Sequence, residues 1–173
     1  ASGENPGKDV YEIIADLPAE AITAVRLEAL TDPSLPAGGA GRSENGNVVL
    51  SEFEVEIAAA DAPEKFQKVK LVCAWADYEQ PDGDFKIRNA IDGNRNTGWA
   101  IGGHLKRENR VAIFRPENPL GGDKKMASGK SAMVIKVRLR HQSVFEQHQF
   151  GRIRISVTSA ASIPQLHDSN LPP

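Results

Sequence analysis

The residues with the clearest capacity for chemistry lie in one short segment, residues 89–99, which reads NAIDGNRNTGW. It shows neither helical nor strand periodicity, and its Asp-Gly and Asn residues favour successive tight turns that point carbonyl oxygens inward. Carboxylate, hydroxyl and carbonyl oxygens are the ligands that Ca²⁺ prefers. The segment therefore predicts a structural calcium site. Its ligands would be the side chains of Asp92 and Thr97 and carbonyl oxygens from Ala90, Asn94 or Arg95.

The same residues are also compatible with a segment that binds no metal. In that alternative they form a self-bonded cluster of turns, in which Asp92 accepts hydrogen bonds from backbone amides. A single carboxylate among neutral oxygens binds Ca²⁺ weakly, so neither interpretation excludes the other. In both, Trp99 is expected to lie in the core, because large aromatic side chains dominate core burial.

At these residues the chain resembles known families. The run Ala-Ile-Asp-Gly-Asn-x-x-Thr-x-Trp at residues 90–99 resembles the signature of discoidin-like and related galactose-binding-like β-sandwiches, many of which are carbohydrate-binding modules. A closer resemblance covers most of the chain, and it is to a β-sandwich region of large planctomycete-type c-type cytochrome proteins. The segments that carry it are ITAVRLEAL (22–30), TDPSLP (31–36), GGAGRSENGN (38–47), LSEFEV (50–55) and GRIRISVT (151–158).

These resemblances imply an antiparallel β-sandwich of jelly-roll, galactose-binding-like type that binds carbohydrate as part of a larger exported protein. The related sandwiches usually add a carboxylate from the last strand to their calcium ligands. Here the last strand reads RIRISVT and contains no acid, which leaves Asp92 as the one carboxylate of the predicted site.

A sugar ligand requires an exposed aromatic face for the C–H side of its ring and fixed polar groups for its hydroxyls. The loops between residues 77 and 110 contain residues of both kinds. The candidate carbohydrate-binding residues are Asp77, Tyr78, Phe85, His104, Arg107 and Arg110. A second candidate group is Arg42, Asn45 and Asn47 in the long early loop. The alternative for the first group is ordinary solvated loops, and for the second it is internal bracing of the loop by hydrogen bonds.

The sequence does not favour an enzyme. Its histidines form no H-x-x-x-H or His-Glu metal pattern, and it has no nucleophile elbow or phosphate-binding loop. The single cysteine, Cys73, excludes an intrachain disulfide and a C-x-x-C-H haem attachment, and is expected to be a small buried apolar residue. His141 and His148 are predicted to lie on the surface at a hairpin. A solvated strand face, rather than a glycosidase pair, is predicted for Glu52, Glu54 and Glu56.

The composition, 40% hydrophobic and 25% charged over 173 residues, indicates one globular domain. A net charge of −2 gives no reason to expect nucleic acid or an anionic membrane as a partner. No apolar run approaches the about 18 residues of a membrane span. We expect a linker remnant over residues 1–9, one domain over 10–165 and a C-terminal tail over 166–173.

Alternation of apolar and polar residues predicts strands along the whole chain. The pattern is clearest at residues 51–57, with Phe53 and Val55 inward and glutamates outward, and the arginines and lysines of two late strands are expected to pair with those glutamates. Residues 68–78 are predicted to be a central strand with Val69, Leu71, Cys73 and Trp75 on one face. With strands also expected over 10–17, 21–30 and 110–114, the prediction is an all-β antiparallel sandwich of jelly-roll character.

We therefore expect a non-catalytic carbohydrate-binding module, extracellular or periplasmic as part of its parent protein. The alternative is a structural sandwich that packs against neighbouring, cytochrome-linked domains and binds no glycan. A shallow groove at a loop end with an exposed aromatic side chain would favour the first function. A large exposed apolar patch would favour the second.

Overall fold

The computed structural model describes residues 1–122 and 133–166, and within these ranges the regular structure consists of strands and short 3₁₀ helices. The 3₁₀ helices are Pro36–Gly38, Ile87–Ala90 and Pro164–Leu166. The strands are β1 (Asp9–Asp16), β2 (Ala24–Ala29), β3 (Val49–Leu50), β4 (Glu52–Ala59), β5 (Gln67–Lys68), β6 (Leu71–Ala76), β7 (Trp99–Ala100), β8 (Arg110–Pro116), β9 (Met133–His141) and β10 (Ile153–Thr158). The predicted all-β class is confirmed.

The strands form two four-stranded sheets and one short ladder, and all pairs are antiparallel. The first sheet has the order β1-β9-β4-β5, and the second has the order β10-β2-β8-β6. β3 pairs with β7, so Leu50 lies opposite Trp99 at the point where the chain enters β4. Apart from β4 and β5, the neighbouring strands in both sheets are far apart in sequence. Non-local pairing of this kind is invisible to a reading of local patterns.

Both sheets contribute their apolar faces to one core. In the first sheet Phe53, Val55, Val137 and Leu139 are buried, as the period-two pattern of β4 and β9 predicts. The ring of Phe53 stacks on that of Phe114 from β8 in the second sheet, with centroids 3.8 Å apart. The buried faces of the two sheets are therefore in direct contact.

The glutamates of β4 do not form the predicted solvated face, and that prediction was wrong. Glu54 and Glu56 are largely covered by the long basic side chains of β9. Arg140 Nε donates to Glu54 Oε2 at 2.9 Å, and an Arg138 terminal nitrogen donates to Glu56 Oε1 at 2.6 Å. The predicted pairing with the first of the late strands is therefore observed. The basic side chains of β10 differ, because Arg154 pairs with Glu28 of β2 instead.

β6 differs from its prediction in two ways. It is an edge strand, with β8 as its one neighbour, and not a central strand. Its register with β8 shifts between Leu71 and Cys73, so the two residues do not share a face. Leu71 packs on the main core, whereas Cys73 and Trp75 belong to a second apolar cluster with Ala24, Ile113 and Leu166. Cys73 is buried, as expected.

The segments that flank the strands are described in part. Residues 1–8, predicted as a linker remnant, lie against the domain, because Arg42 donates to the carbonyls of Gly3 and Glu4. The tail predicted over 166–173 falls outside the described residues after Leu166. Within residues 1–122 and 133–166, no helix has the length and apolar character needed to cross a membrane.

Candidate functional site

The segment 89–99 is fixed to the domain at both ends. At its start, Asn89 and Ala90 are buried in the 3₁₀ helix Ile87–Ala90. At its end, Trp99 is 0% exposed, and its indole Nε1 donates to the carbonyl of Tyr78 at 2.8 Å. The expected core position of Trp99 is confirmed. Residues 92–96, between these anchors, are exposed, so the segment is a surface loop that is fixed to the domain at both ends.

Three residues of the predicted calcium site lie together inside this segment. Asp92 Oδ1 accepts from the backbone N–H of Asn94 at 2.7 Å. The hydroxyl of Thr97 lies 2.9 Å from Asp92 Oδ2 and 2.7 Å from the carbonyl oxygen of Asn94. A carboxylate, a hydroxyl and a carbonyl oxygen therefore converge. The same hydrogen bonds are those of the self-bonded alternative, so they do not decide between the two interpretations. The carbonyls of Ala90 and Arg95 remain predicted ligands.

Glu52 adds a carboxylate that the sequence analysis did not assign to this site. It begins β4, is 4% exposed, and faces Asp92 and the backbone of Gly93. Its Oε1 atom has no hydrogen-bond partner among the described residues. Burial, followed by the neighbouring Asp92 carboxylate, raises the pKa of Glu52 to about 7. An unpartnered buried carboxylate oxygen beside a second carboxylate is a feature that self-bonding of the loop does not explain.

The Glu52–Asp92 pair borders an open cleft of about 200 Å³. The cleft is lined by Glu52, Phe53, Glu54, Lys68, Val69, Lys70, Leu71, Ile91, Asp92 and Gly93. No group of three or more His, Cys, Asp or Glu side chains in the described ranges is arranged to hold a metal ion. A cation here would therefore depend on two carboxylates supplemented by neutral oxygens. That donor set suits Ca²⁺, which accepts hydroxyl and carbonyl oxygens. The second carboxylate of this set, which the sequence analysis did not assign to the site, comes from β4.

The six predicted carbohydrate-binding residues fall in separate places. Tyr78 and Arg110 meet, with the guanidinium carbon 4.3 Å from the centre of the tyrosine ring. Arg110 is itself buried, and its Nε donates to the carbonyl of Ile101. Asp77 lies beside them, accepts from the backbone N–H of Val111 at 3.0 Å, and has its pKa raised by burial. These contacts brace the start of β8. The exposed members of the set on the following loop are His104 and Arg107.

Phe85, the sixth residue, belongs to a different aromatic group. Its ring meets that of Phe145 edge to face, with centroids 5.6 Å apart, and His148 lies 5.8 Å from Phe145 on its other side. Phe145 is 44% exposed. His148 also lines an open groove of about 280 Å³, between the loop of residues 43–45 and the loop of residues 146–148. The groove-lining residues are Ser43, Glu44, Asn45, Glu146, Gln147 and His148.

Hydrogen bonds hold both loops of this groove in place. Ser43 Oγ donates to the carbonyl of Asn47 at 2.7 Å, and Asn45 Oδ1 accepts from the backbone N–H of Asn47 at 3.0 Å. On the other side, Gln147 Nε2 donates to the carbonyl of Asn5 at 3.0 Å. Gln147 has φ 61°, a left-handed conformation that costs free energy for a non-glycine residue. The groove is thus a formed surface rather than a gap between free loops.

The residues of the second predicted group also serve different purposes. This group consists of Arg42, Asn45 and Asn47. Arg42 ties the N-terminal residues to the early loop. Asn47 is buried, donates from Nδ2 to Gln80 Oε1 at 3.0 Å, and accepts the backbone N–H of Gly103 at 2.9 Å. These two residues brace the loop, as the alternative interpretation states. Asn45 also lines the groove.

His141 does not lie on the surface, and that prediction was wrong. It is 4% exposed and packs between the rings of Tyr11 and Phe150. Its Nδ1 lies 3.0 Å from the carbonyl of Val49. It is the last residue of β9, where Tyr11 of the neighbouring β1 and Phe150 cover it. The segment after β9 is not the predicted hairpin, because it leads to β10 in the other sheet.

Neither the Glu52–Asp92 contact nor the groove has a signal that local sequence reasoning would detect. Glu52 follows the alternation of β4, and only the crossing of segment 89–99 over the start of that strand converts it into a buried residue. Phe145 is the one aromatic residue of the mainly polar connection SVFEQHQ (143–149) between β9 and β10. No family model matches this chain, and neither the curated proteins nor the solved structures contain a match to it.

Proposed function

We propose that this chain is a non-catalytic carbohydrate-binding module, built as a jelly-roll β-sandwich of galactose-binding-like type. The observation that carries the proposal is the groove between residues 43–45 and 146–148, with the exposed ring of Phe145 beside it. This arrangement is the shallow loop-end groove with an exposed aromatic side chain that favours sugar binding over a purely structural role. The predicted set of six residues contributes Phe85, whose ring contacts that of Phe145 edge to face.

The groove offers the contacts that a pyranose needs. The face of Phe145 can take the C–H side of a sugar ring, and the exposed side chains of Asn45 and Gln147 supply polar groups for hydroxyls. Its volume of about 280 Å³ is near the lower end of ligand-pocket volumes, about 300 to 1000 Å³, which suits a short stretch of a glycan. Affinity of one such module is expected to be modest, with avidity supplied by its parent assembly.

The Glu52–Asp92 pair supports a structural calcium ion as part of the same proposal. Calcium would neutralise the two facing carboxylates and bind the unpartnered Glu52 Oε1, with Thr97 Oγ1 and the Asn94 carbonyl as further ligands. A site with two carboxylates fits the weak class of calcium sites, with dissociation constants of about 10⁻⁴ to 10⁻³ M, found in extracellular modules. That affinity suits the extracellular or periplasmic, cytochrome-linked parent protein that we propose.

A hydrolytic function is not favoured by the same pair. The carboxyl groups of Glu52 and Asp92 lie close enough for a hydrogen bond between them, whereas the pair of a retaining glycosidase stands about 5 Å apart and that of an inverting enzyme further apart. A sugar ring and its scissile bond do not fit between two carboxyl groups at hydrogen-bond separation. The acids at this cleft therefore support ion binding rather than glycoside cleavage.

The proposal is tested by affinity gel electrophoresis of the domain against a panel of soluble polysaccharides, with calcium and again with a chelator. We expect at least one polysaccharide to retard the wild type, and Phe145→Ala to weaken that retardation at least about tenfold, since stacked aromatics dominate such contacts. Leu105→Ala is the matched control, because Leu105 is an equally exposed apolar residue outside the groove.

Two results would overturn the proposal. One is that no polysaccharide retards the wild type under either condition, which would leave a structural role against neighbouring domains. The other is that Phe145→Ala and Leu105→Ala bind a retained polysaccharide equally well. If the wild type binds a polysaccharide in calcium but not in chelator, the Asp92 segment would lie beneath the site, and the carbohydrate-binding function would still stand.

A further inference from the structure

The groove carries negatively charged side chains, which restrict the class of sugar that it can bind. Glu44 and Glu146 contribute one carboxylate from each of its two loops. Within residues 1–122 and 133–166, neither side chain forms an ion pair or a hydrogen bond. No lysine or arginine lines the groove. The one basic side chain in the lining is His148, and its Nδ1 lies 2.8 Å from the carbonyl of Glu146.

The carboxylates on the faces of the two sheets are arranged differently. Glu54 and Glu56 of β4 are matched by the basic side chains of β9, and Glu28 is matched by Arg154. Those carboxylates are already neutralised within the protein. The two in the groove have no such partners and flank a recess that contains further hydrogen-bonding groups. An external cation is therefore the complement that this recess lacks.

From this arrangement we propose that the groove selects an amino sugar with a free, protonated amine over neutral and anionic sugars. The inference rests on the proposed carbohydrate-binding function and specifies its ligand class. The ammonium would lie between Glu44 and Glu146, and the sugar ring would lie on the exposed face of Phe145. A cation close to an aromatic face is attracted by the ring as well as by the carboxylates. A uronic acid or sulfated sugar would place like charges together.

The size of the preference follows from the exposure of the carboxylates. Exposed pairs of opposite charge are weak, and each carboxylate is expected to strengthen binding of the ammonium by about two- to fivefold. Both together give a preference of about five- to twentyfold for the free amine over its N-acetylated form. The preference should decrease with added salt, since exposed charges are screened over about 10 Å at 0.1 M ionic strength.

The test compares three ligands of matched length by isothermal titration: a fully deacetylated glucosamine hexamer, its fully N-acetylated counterpart and an oligogalacturonate. We expect the deacetylated hexamer to bind most tightly and the oligogalacturonate not to bind. Glu44→Gln and Glu146→Gln should each weaken the deacetylated hexamer about two- to fivefold and leave the acetylated one unchanged. Glu64→Gln, an exposed carboxylate outside the groove, is the matched control and should change neither.

The outcomes separate this inference from the function on which it rests. If the acetylated hexamer binds as tightly as the deacetylated one, and depends on Phe145, the amino-sugar inference fails while the carbohydrate function stands. Equal weakening by Glu44→Gln and Glu64→Gln would indicate non-specific attraction of a polycation and would also overturn the inference. If none of the three ligands binds, and the polysaccharide panel is negative as well, both fail.

Discussion

Replacing Glu52 with glutamine removes one member of the carboxyl pair while preserving its shape. An ordinary glutamate has a pKa near 4.5, and burial together with Asp92 raises that of Glu52 to about 7. The folded state therefore retains a proton that the unfolded state releases between these two values. The stability of the wild type should fall as the pH rises through this window. The difference between a pKa of 4.5 and one of about 7 corresponds to about 3 kcal/mol of stability, at about 1.36 kcal/mol per pKa unit.

Glu52→Gln has no such titration, so its advantage over the wild type should appear only at high pH. At pH 5 the two proteins should have similar free energies of unfolding. At pH 8, in chelator, the variant should be more stable by up to about 3 kcal/mol. In urea unfolding with a slope of about 1 to 3 kcal/mol per molar, this difference shifts the midpoint by about 1 M or more. Glu64→Gln, an exposed carboxylate, should show no difference at either pH.

Calcium should reduce the difference in stability between the two proteins at pH 8. Binding to the folded state adds about 2.7 kcal/mol at a free concentration of one hundred times the dissociation constant. The wild type should gain this amount, and the variant should gain less because it lacks one carboxylate ligand. The urea unfolding curves of the wild type and the variant must be compared at the same pH. His141 also changes protonation in this range, and its effect is common to both proteins.

If the free energies of unfolding of the variant and the wild type differ by the same amount at pH 5 and at pH 8, Glu52 and Asp92 do not interact as described. A variant that is less stable at pH 8 in chelator would lead to the same conclusion. If calcium stabilises both proteins equally, Glu52 is not a ligand, and the carboxyl pair has no part in metal binding.

Two further predictions concern buried polar groups. Burial lowers the pKa of His141 to about 4, so the imidazole is neutral in the folded state at neutral pH. The free energy of unfolding should therefore decrease progressively as the pH falls from about 6.5 towards 4. An NMR titration midpoint of His141 near 6.5 would contradict this. Trp99→Phe should lower the free energy of unfolding by about 2 to 3 kcal/mol, through a cavity and the lost bond to the Tyr78 carbonyl. Trp75→Phe, at a half-buried position of β6, should lower the free energy of unfolding by about 1 kcal/mol or less. If urea unfolding shows the same loss for both variants, Trp99 does not anchor its segment as described.

Local patterns in the sequence predicted strands well and their neighbours poorly. β4 and β9 each bury one face against a core, so their side chains alternate and the alternation is visible in the sequence. The position of β6 at a sheet edge is not visible, because edge and central strands carry similar apolar residues. Its bulge between Leu71 and Cys73 also leaves no local signal, since both faces of that strand meet apolar clusters.

The candidate sites show the same limit at the level of single residues. Segment 89–99 was identifiable because its turn chemistry is local. Glu52 was not, because its burial depends on a contact with Asp92, forty residues away in the chain, that only the fold creates. The groove likewise joins residues 43–45 to residues 146–148. Polar residues whose role depends on a distant partner look like ordinary surface residues in a sequence.

The ion pairs on the two sheets have a consequence for the order in which the chain can fold. Glu12 of β1 pairs with Arg138 of β9, and Glu28 of β2 pairs with Arg154 of β10, each across 126 positions. Each sheet therefore includes a strand pair that joins an early part of the chain to a late one. Folding of this kind is slow, on a scale of about milliseconds to seconds, because loop entropy is lost before the contacts form. During synthesis, β1 and β2 must wait for the ribosome to release nearly the whole domain, and until then their unpaired edges are open to aggregation.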